Sequence, residues 1–194
     1  MNSPYTLTAV AAWCVLVVVW LIGYAARLRS NAPTRRARSH LTLQVPAATL
    51  LIVCFALMFN AHSYNLRQQV TPDSDLIGTI GAALAVAGVA FAVWARVVLG
   101  HNWSGLVMMV REGHQLVQNG PYAVVRHPIY TGMLGAIVGA ALTLGTLASW
   151  IAVASGLFGI LLRIDVEERL MASEFGAAHA DYRARTRKLI PFVW

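Results

Sequence analysis

The feature that most limits what this chain can fold into is its set of four uncharged apolar tracts, at roughly 5–26, 41–62, 76–95 and 129–162. A helix needs about 20 apolar residues to cross a hydrocarbon core of about 30 Å. The first three tracts are each the length of one crossing. The fourth is too long for one, and "LGTLASW" (Leu144 to Trp150) offers a glycine and small polar residues for a tight turn. That tract predicts a helical hairpin, 129–163, for five spans in all. Charged residues make up 12% of the chain, about half the share in soluble domains. The class expected is an all-α integral membrane protein.

Charge placement sets the expected orientation. Of the 15 Lys and Arg residues, all but Arg67 fall after span one, between spans three and four, or after span five. The positive-inside rule then puts the N-terminus outside and the C-terminus in the cytoplasm. The net charge of +7 is therefore a topology signal, and nucleic acid is not needed to explain it. "MNSPYTLTAV" has no basic residue before its apolar run and no clear cleavage site, so it is expected to stay as a span. The absence of a targeting segment leaves a bacterial-type inner membrane and the endoplasmic reticulum both open. Cys14 and Cys54 lie inside apolar runs without a CxxC pair, as packing residues do. Gly135 and Gly139 form a GxxxG spacing suited to close helix approach. Pro46 is expected to kink span two or sit near its first turn, and the loop around Thr71 to Asp75 to be an ordinary connector.

Polar residues concentrate in two cytoplasmic segments, 100–130 and 163–191, which the hairpin returns to one membrane face. In the first, Asn119-Gly120-Pro121 is a turn signal, and Pro128 suits the first position of a helix. His127 then lies beside a helix start whose free N–H groups attract anions. Tyr130, on the first turn, offers an aromatic face to a cation. Such a site suits a ligand carrying an anionic group and a soft cation, although tyrosine, tryptophan and arginine also serve as interfacial anchors.

In the second segment, helical spacing continues span five as an amphipathic cytoplasmic helix. It places Arg163 and Glu167 four apart on one face. Arg163 at the membrane boundary is either a functional cation or a snorkelling one paired with its acidic neighbour. "RARTRK" (Arg183 to Lys188) is expected to be a lipid-facing basic run. His101, His114 and His127 are spaced by thirteen, there is no HExxH, GxGxxG or Walker loop, and neither a metal nor a nucleotide-binding domain is expected.

Together, "GHQLVQNGPYAVVRHPIYTG" (Gly113 to Gly132) and "EERLMASEFGAAHADYRARTRKLIP" (Glu167 to Pro191) resemble the isoprenylcysteine carboxyl methyltransferase and phospholipid methyltransferase family. The resemblance covers about the C-terminal 85 residues. It divides the chain into three N-terminal transmembrane helices, 1–99, and a methyltransferase core, 100–194. It implies S-adenosylmethionine-dependent methyl transfer at the cytoplasmic face. The implied cofactor pocket comprises His114, Gln115, Leu116, Val117, Tyr122, His127, Pro128, Ile129, Tyr130 and Glu167. Arg163 matches an arginine associated with the substrate, and Arg126 and Glu168 are the further motif residues of the reaction site. The acceptor implied is lipophilic, a prenylated cysteine carboxylate or similar lipid-linked acid. The alternatives are a phospholipid headgroup amine, a small thiol, or a membrane scaffold without chemistry. Eukaryotic members of the isoprenylcysteine branch generally have more than five spans, with N-terminal helices that help frame the substrate entrance.

Overall fold

In hydrocarbon, backbone polar groups have no water to bond, so an apolar tract satisfies them internally by becoming a helix. The computed structural model, which describes residues 3–29, 34–35, 41–60, 66–103, 110–111 and 115–193, turns every tract into one. The helices are α1 (Pro4–Leu28), α2 (Leu41–Asn60), α3 (Asp75–Leu99), α4 (Pro128–Leu144) and α5 (Leu147–Arg185). The only strands among the described residues are β1 (Thr34–Arg35) and β2 (Val110–Arg111), a two-residue antiparallel pair. Helices α1, α3 and α5 are long and apolar enough to cross a membrane. The apolar part of α2, Val45–Met58, and the 17-residue α4 are shorter. The protein is a multi-pass membrane protein.

The hairpin turns where the glycine permits it. Gly145, with φ 67°, takes the left-handed cap of α4 and donates its N–H to the Ala141 carbonyl at 2.8 Å. L residues with a side chain rarely adopt that conformation. Thr146 then caps α5, its hydroxyl accepting from the Ser149 N–H at 3.2 Å. The segment before α3 is more than a connector. Val70 N–H donates to Gly145 O at 2.9 Å, Leu147 N–H to Gln68 O at 2.9 Å, and Trp150 Nε1 to the Thr71 hydroxyl at 2.8 Å. Ser74 closes the segment by capping α3.

Helix α3 lies along α4, and α2 along α5. The first contact is backbone against backbone. A β-carbon on Gly132 would lie 2.5 Å from the Gly88 carbonyl oxygen, and one on Gly88 2.5 Å from the Ala136 nitrogen. Close approach of this kind is what small residues allow in lipid. The stripe is Gly132, Ala136 and Gly139 against Gly81, Ala85, Gly88 and Ala92. Gly135 borders it: its backbone carbon lies 3.0 Å from the Gly88 β-carbon position, while a β-carbon of its own would meet Gly88 Cα at an ordinary 3.7 Å. The GxxxG expectation therefore names the right helix and contact, with Gly132 and Gly139 the two positions on α4 that meet backbone most closely. The α3–α4 packing also crosses the expected boundary between residues 99 and 100. Cys54 packs in the interior beside Gly156, but Cys14 is on the exposed face of α1. Pro46 lies within the N-terminal part of α2.

The part of α5 before Gly176 alone runs about 44 Å, well beyond a hydrocarbon core of about 30 Å. The C-terminal part of α5 runs beyond the apolar region, burying Ile164, Val166, His179 and Tyr182 and exposing Arg169, Glu174 and Arg183. Gly176 (φ 47°, ψ −118°) breaks the helical path and redirects the last turns over the α4 start. The chain then extends alongside residues 124–127. Arg126 N–H donates to Arg187 O at 2.8 Å, Arg187 N–H to Val124 O at 3.0 Å, and His127 N–H to Lys188 O at 3.2 Å. "RARTRK" is thus not merely a basic surface run. Its backbone clamps the segment that holds Arg126 and His127.

Candidate active site

Pro128 starts α4 because its missing N–H would find no helical partner there and its φ is already helical. This fixes His127 as the N-cap residue and puts Tyr130 on the first turn. Across the hairpin, α5 presents Arg163, Glu167 and Glu168 at the same level. The side chains interlock. Arg163 Nε donates to the Tyr130 hydroxyl oxygen at 2.6 Å, and that hydroxyl donates to Glu167 Oε1. Arg163 Nε and Glu167 Oε1 are 3.7 Å apart. His127 Nδ1 faces Glu167 Oε2 at 3.2 Å and Nε2 faces Glu168 Oε1 at 2.9 Å. Arg126 Nε donates to Glu168 Oε1 at 2.8 Å, and its Nη1 donates to the Thr186 carbonyl at 2.8 Å.

His127 is buried between two carboxylates, and both ring nitrogens can donate at once only as imidazolium. Burial works against that charge, but the hydrogen bonds and negative charges of Glu167 and Glu168 outweigh it, and the pKa is raised. Tyr122 is held neutral: burial, then the charges of Glu167 and Tyr182, push its hydroxyl pKa up. The Tyr122 carbonyl accepts from the Tyr182 hydroxyl at 2.7 Å, which ties the end of α5 to the Gly120–Ala123 turn.

These groups form one wall of a cavity of about 210 Å³. Of the residues expected at the cofactor, Gln115, Leu116, Val117, Tyr122, His127, Ile129, Tyr130 and Glu167 line it, as do Arg126, Arg163 and Glu168. Pro128 is fully buried at the α4 start and is not part of the lining. His114 lies outside the described residues.

The cavity also has members that sequence reasoning missed. Asn102, in the 3₁₀ turn after α3, accepts from the Gln115 N–H at 3.0 Å and so positions the extended Gln115–Val117 stretch. Trp103 follows it, with the Arg96 guanidinium 4.2 Å from its ring centroid and Trp20 of α1 meeting it edge-on at 6.1 Å. Leu51 of α2, Met133 of α4, and Leu170 and Met171 of α5 add apolar surface. Asn102 and Trp103 stand together in "GHNW", a polar–aromatic pair just after an apolar tract, which is the one local signal that marks them. Nothing local marks Trp20 or Leu51, which face the cavity through tertiary packing.

A cavity with carboxylates at one end, arginines beside them, and tyrosine and tryptophan faces along an apolar remainder fits a zwitterionic ligand with an additional soft positive centre.

Residues 81–173 match the family model described as the isoprenylcysteine carboxyl methyltransferase (ICMT) family. The chain is 31% identical over 119 residues to protein-S-isoprenylcysteine O-methyltransferase B of Arabidopsis thaliana, covering 60% of each chain. It is 34% identical over 106 residues to the protein-S-isoprenylcysteine O-methyltransferase of Schizosaccharomyces pombe, covering 51% of this chain and 43% of that one. It is 31% identical over 148 residues to the cobalt-zinc-cadmium resistance protein CzcN of Cupriavidus metallidurans, covering 73% and 61% respectively. The chain thus spans between 43% and 61% of the length of these relatives.

Proposed function

Through residues 81–173 the chain belongs to the isoprenylcysteine carboxyl methyltransferase family, and on that premise we propose that it is an S-adenosylmethionine-dependent methyltransferase. Its acceptor in this reading is the carboxylate of a prenylated cysteine or a similar lipid-linked acid. One observation carries the reading. Two motif segments separated by the α4–α5 hairpin close on one cavity through the Arg163–Tyr130–Glu167–His127 chain of contacts. Structural support alone does not require so many polar groups at an apolar helix junction, where each one costs desolvation.

The donor supplies a methyl group on a positively charged sulfur, with an ammonium and a carboxylate elsewhere on the molecule. The described residues fit those groups by type. Glu167 would hold the ammonium or a ribose hydroxyl, the Tyr122 and Tyr130 rings favour positive charge, and the Gln115–Val117 backbone borders the same space. His127 keeps Glu167 oriented and ionised from its far side. Arg163 would orient the acceptor's carboxylate. That group is already ionised near neutral pH, so the protein needs no base and acts by alignment, which supplies much of the acceleration in such reactions. Leu51, Met133, Leu170 and Met171 would take the acceptor's apolar part.

In the membrane we place five crossings, with α2 and α4 as the shorter ones. The N-terminus is outside, and the cavity is on the cytoplasmic face where a water-soluble donor meets a membrane-held acceptor. Residues 1–99 frame the entrance and 100–194 carry the chemistry.

The test is labelled methyl transfer by the purified chain to prenylcysteine, phosphatidylethanolamine and thiol acceptors side by side. The expected result is label on prenylcysteine. Label on the amine or thiol instead moves the acceptor assignment, and folded protein that is blank with all three removes the enzyme reading.

A further inference from the structure

Behind the wall formed by Arg126 and Glu168, on the side away from the active cavity, a second and wider hollow lies between α5 and the returning C-terminal segment. Its charged lining is lopsided. Arg126, Arg169, Arg183, Arg187 and Lys188 face only Asp165 and Glu168, a surplus of three positive charges. The carboxylates are already committed: Asp165 to Lys188 at 2.9 Å, and Glu168 to Arg126 at 2.8 Å. Arg183, with its side chain 56% exposed, reaches Glu168 at 3.4 Å. Among the described residues, neither Arg169 nor Arg187 has an ion-pair partner.

The rim is of opposite character. Val193 lines the hollow, and Ile190, Phe192 and Val193 are 44%, 83% and 75% exposed. A basic recess edged by protruding apolar side chains, at the charged end of the helices, complements an amphiphile with an anionic head. We propose that this hollow is a binding site for the headgroup of an anionic phospholipid. Arg169, Arg183 and Arg187 hold the phosphate, and the Ile190–Val193 segment sits among the lipid chains. The arginine geometry suits phosphate oxygens, for which guanidinium groups make paired hydrogen bonds. The inference is independent of the methyl-transfer reading, since it uses neither the donor nor the acceptor.

The experiment is native mass spectrometry of the full chain, released from detergent and titrated with phosphatidylglycerol or phosphatidylcholine, without any methyl donor. The expected result is retention of phosphatidylglycerol at roughly tenfold lower concentration than phosphatidylcholine, with that preference lost in Arg169→Gln/Arg187→Gln. Asp165→Asn removes one of the two negative charges lining the hollow and should shift the preference the other way, towards tighter phosphatidylglycerol binding, which a loss of folding cannot imitate. Glycerol phosphate should compete only weakly. Equal retention of the two lipids, or a preference unchanged in both variants, overturns the site. Competition by glycerol phosphate at the lipid's own concentration overturns the lipid assignment in favour of a soluble phosphate.

Discussion

Arg163 Nε stands 2.6 Å from the Tyr130 hydroxyl oxygen, which passes its own proton towards Glu167. One hydroxyl thus joins an arginine and a carboxylate of the same helix through a residue of the preceding one. In the proposed reaction Arg163 works on the acceptor and Glu167 on the donor. Arg163→Ala should therefore leave S-adenosylhomocysteine binding within about threefold of wild type while turnover falls by about a hundredfold, the cost typical of lost alignment. Calorimetry and labelled transfer on one preparation check both halves. Unchanged turnover would reassign the arginine to structural support.

Glu167 is the point on which three side chains converge, and it faces the cavity. Glu167→Ala should abolish detectable S-adenosylhomocysteine binding. Tyr130→Phe should weaken it by about tenfold, the cost of one hydrogen bond to a charged group, because Arg163 and Glu167 remain close enough to pair. A Glu167→Ala protein that binds the cofactor product normally would remove this residue from the donor site.

How much of this was legible in the sequence follows from where the information is stored. The apolar tracts and the Gly145 turn are local, and the helices form where those signals put them. His127, Tyr130, Arg163 and Glu167 could be named because two dense polar stretches border apolar ones and a hairpin joins them, whereas Arg126 and Glu168 could be named only through the family resemblance. Trp20, Leu51 and His179 enter the cavity or its border only through packing between distant helices, for which no spacing rule exists. The same holds for the backbone of Arg187 and Lys188. Basic composition suggested a surface run, whereas the contacts that matter there are main-chain bonds to Val124, Arg126 and His127, and composition carries no record of main-chain bonds. The α3–α4 stripe was legible only in part for a related reason. Gly132 and Gly135 lie on neighbouring faces, and only the partner helix decides between them.

Arg126 is a tether as much as a motif residue. Its side chain is 8% exposed and links Glu168 of α5 to the Thr186 carbonyl of the C-terminal segment. Arg126→Ala leaves a buried carboxylate with less compensation and the clamp with one fewer bond. Removing one partner of a buried pair costs about 3–5 kcal/mol. Thermal unfolding in detergent should show a clear drop in the midpoint, and limited proteolysis should cut first near residues 186–193. A variant as stable as wild type would mean that the backbone bonds alone hold the segment.

His127 gives the fold a pH dependence with a defined sign. Its folded pKa lies above the ordinary imidazole value of about 6.5. Below that ordinary value the histidine is protonated in both folded and unfolded chains, and its bonds to Glu167 and Glu168 contribute fully. As pH rises through the raised folded value the contribution is lost, because the unfolded chain has already released the proton. Denaturant midpoints measured from pH 6 upward should fall over this window in wild type and flatten in His127→Gln. Identical slopes in the two proteins would mean that the two carboxylates do not hold the imidazolium.

The α3–α4 contact predicts a sharp difference between two glycines one turn apart. At Gly132 any side chain meets backbone, with the Gly88 carbonyl 2.5 Å from the β-carbon position. A carbonyl inside a helix cannot swing aside as a side-chain tip can. Gly132→Leu must push the helices apart, at a cost of about 3 kcal/mol or more, and α4 carries His127 and Tyr130 with it. Gly135→Ala meets only ordinary contacts at 3.7 and 3.8 Å and should be neutral or slightly stabilising. Detergent melting curves measure the stability difference, and S-adenosylhomocysteine binding follows the displaced site. Loss of binding in Gly132→Leu but not in Gly135→Ala is the expected pattern. Equal behaviour of the two would mean that α4 is not seated on α3 in this register.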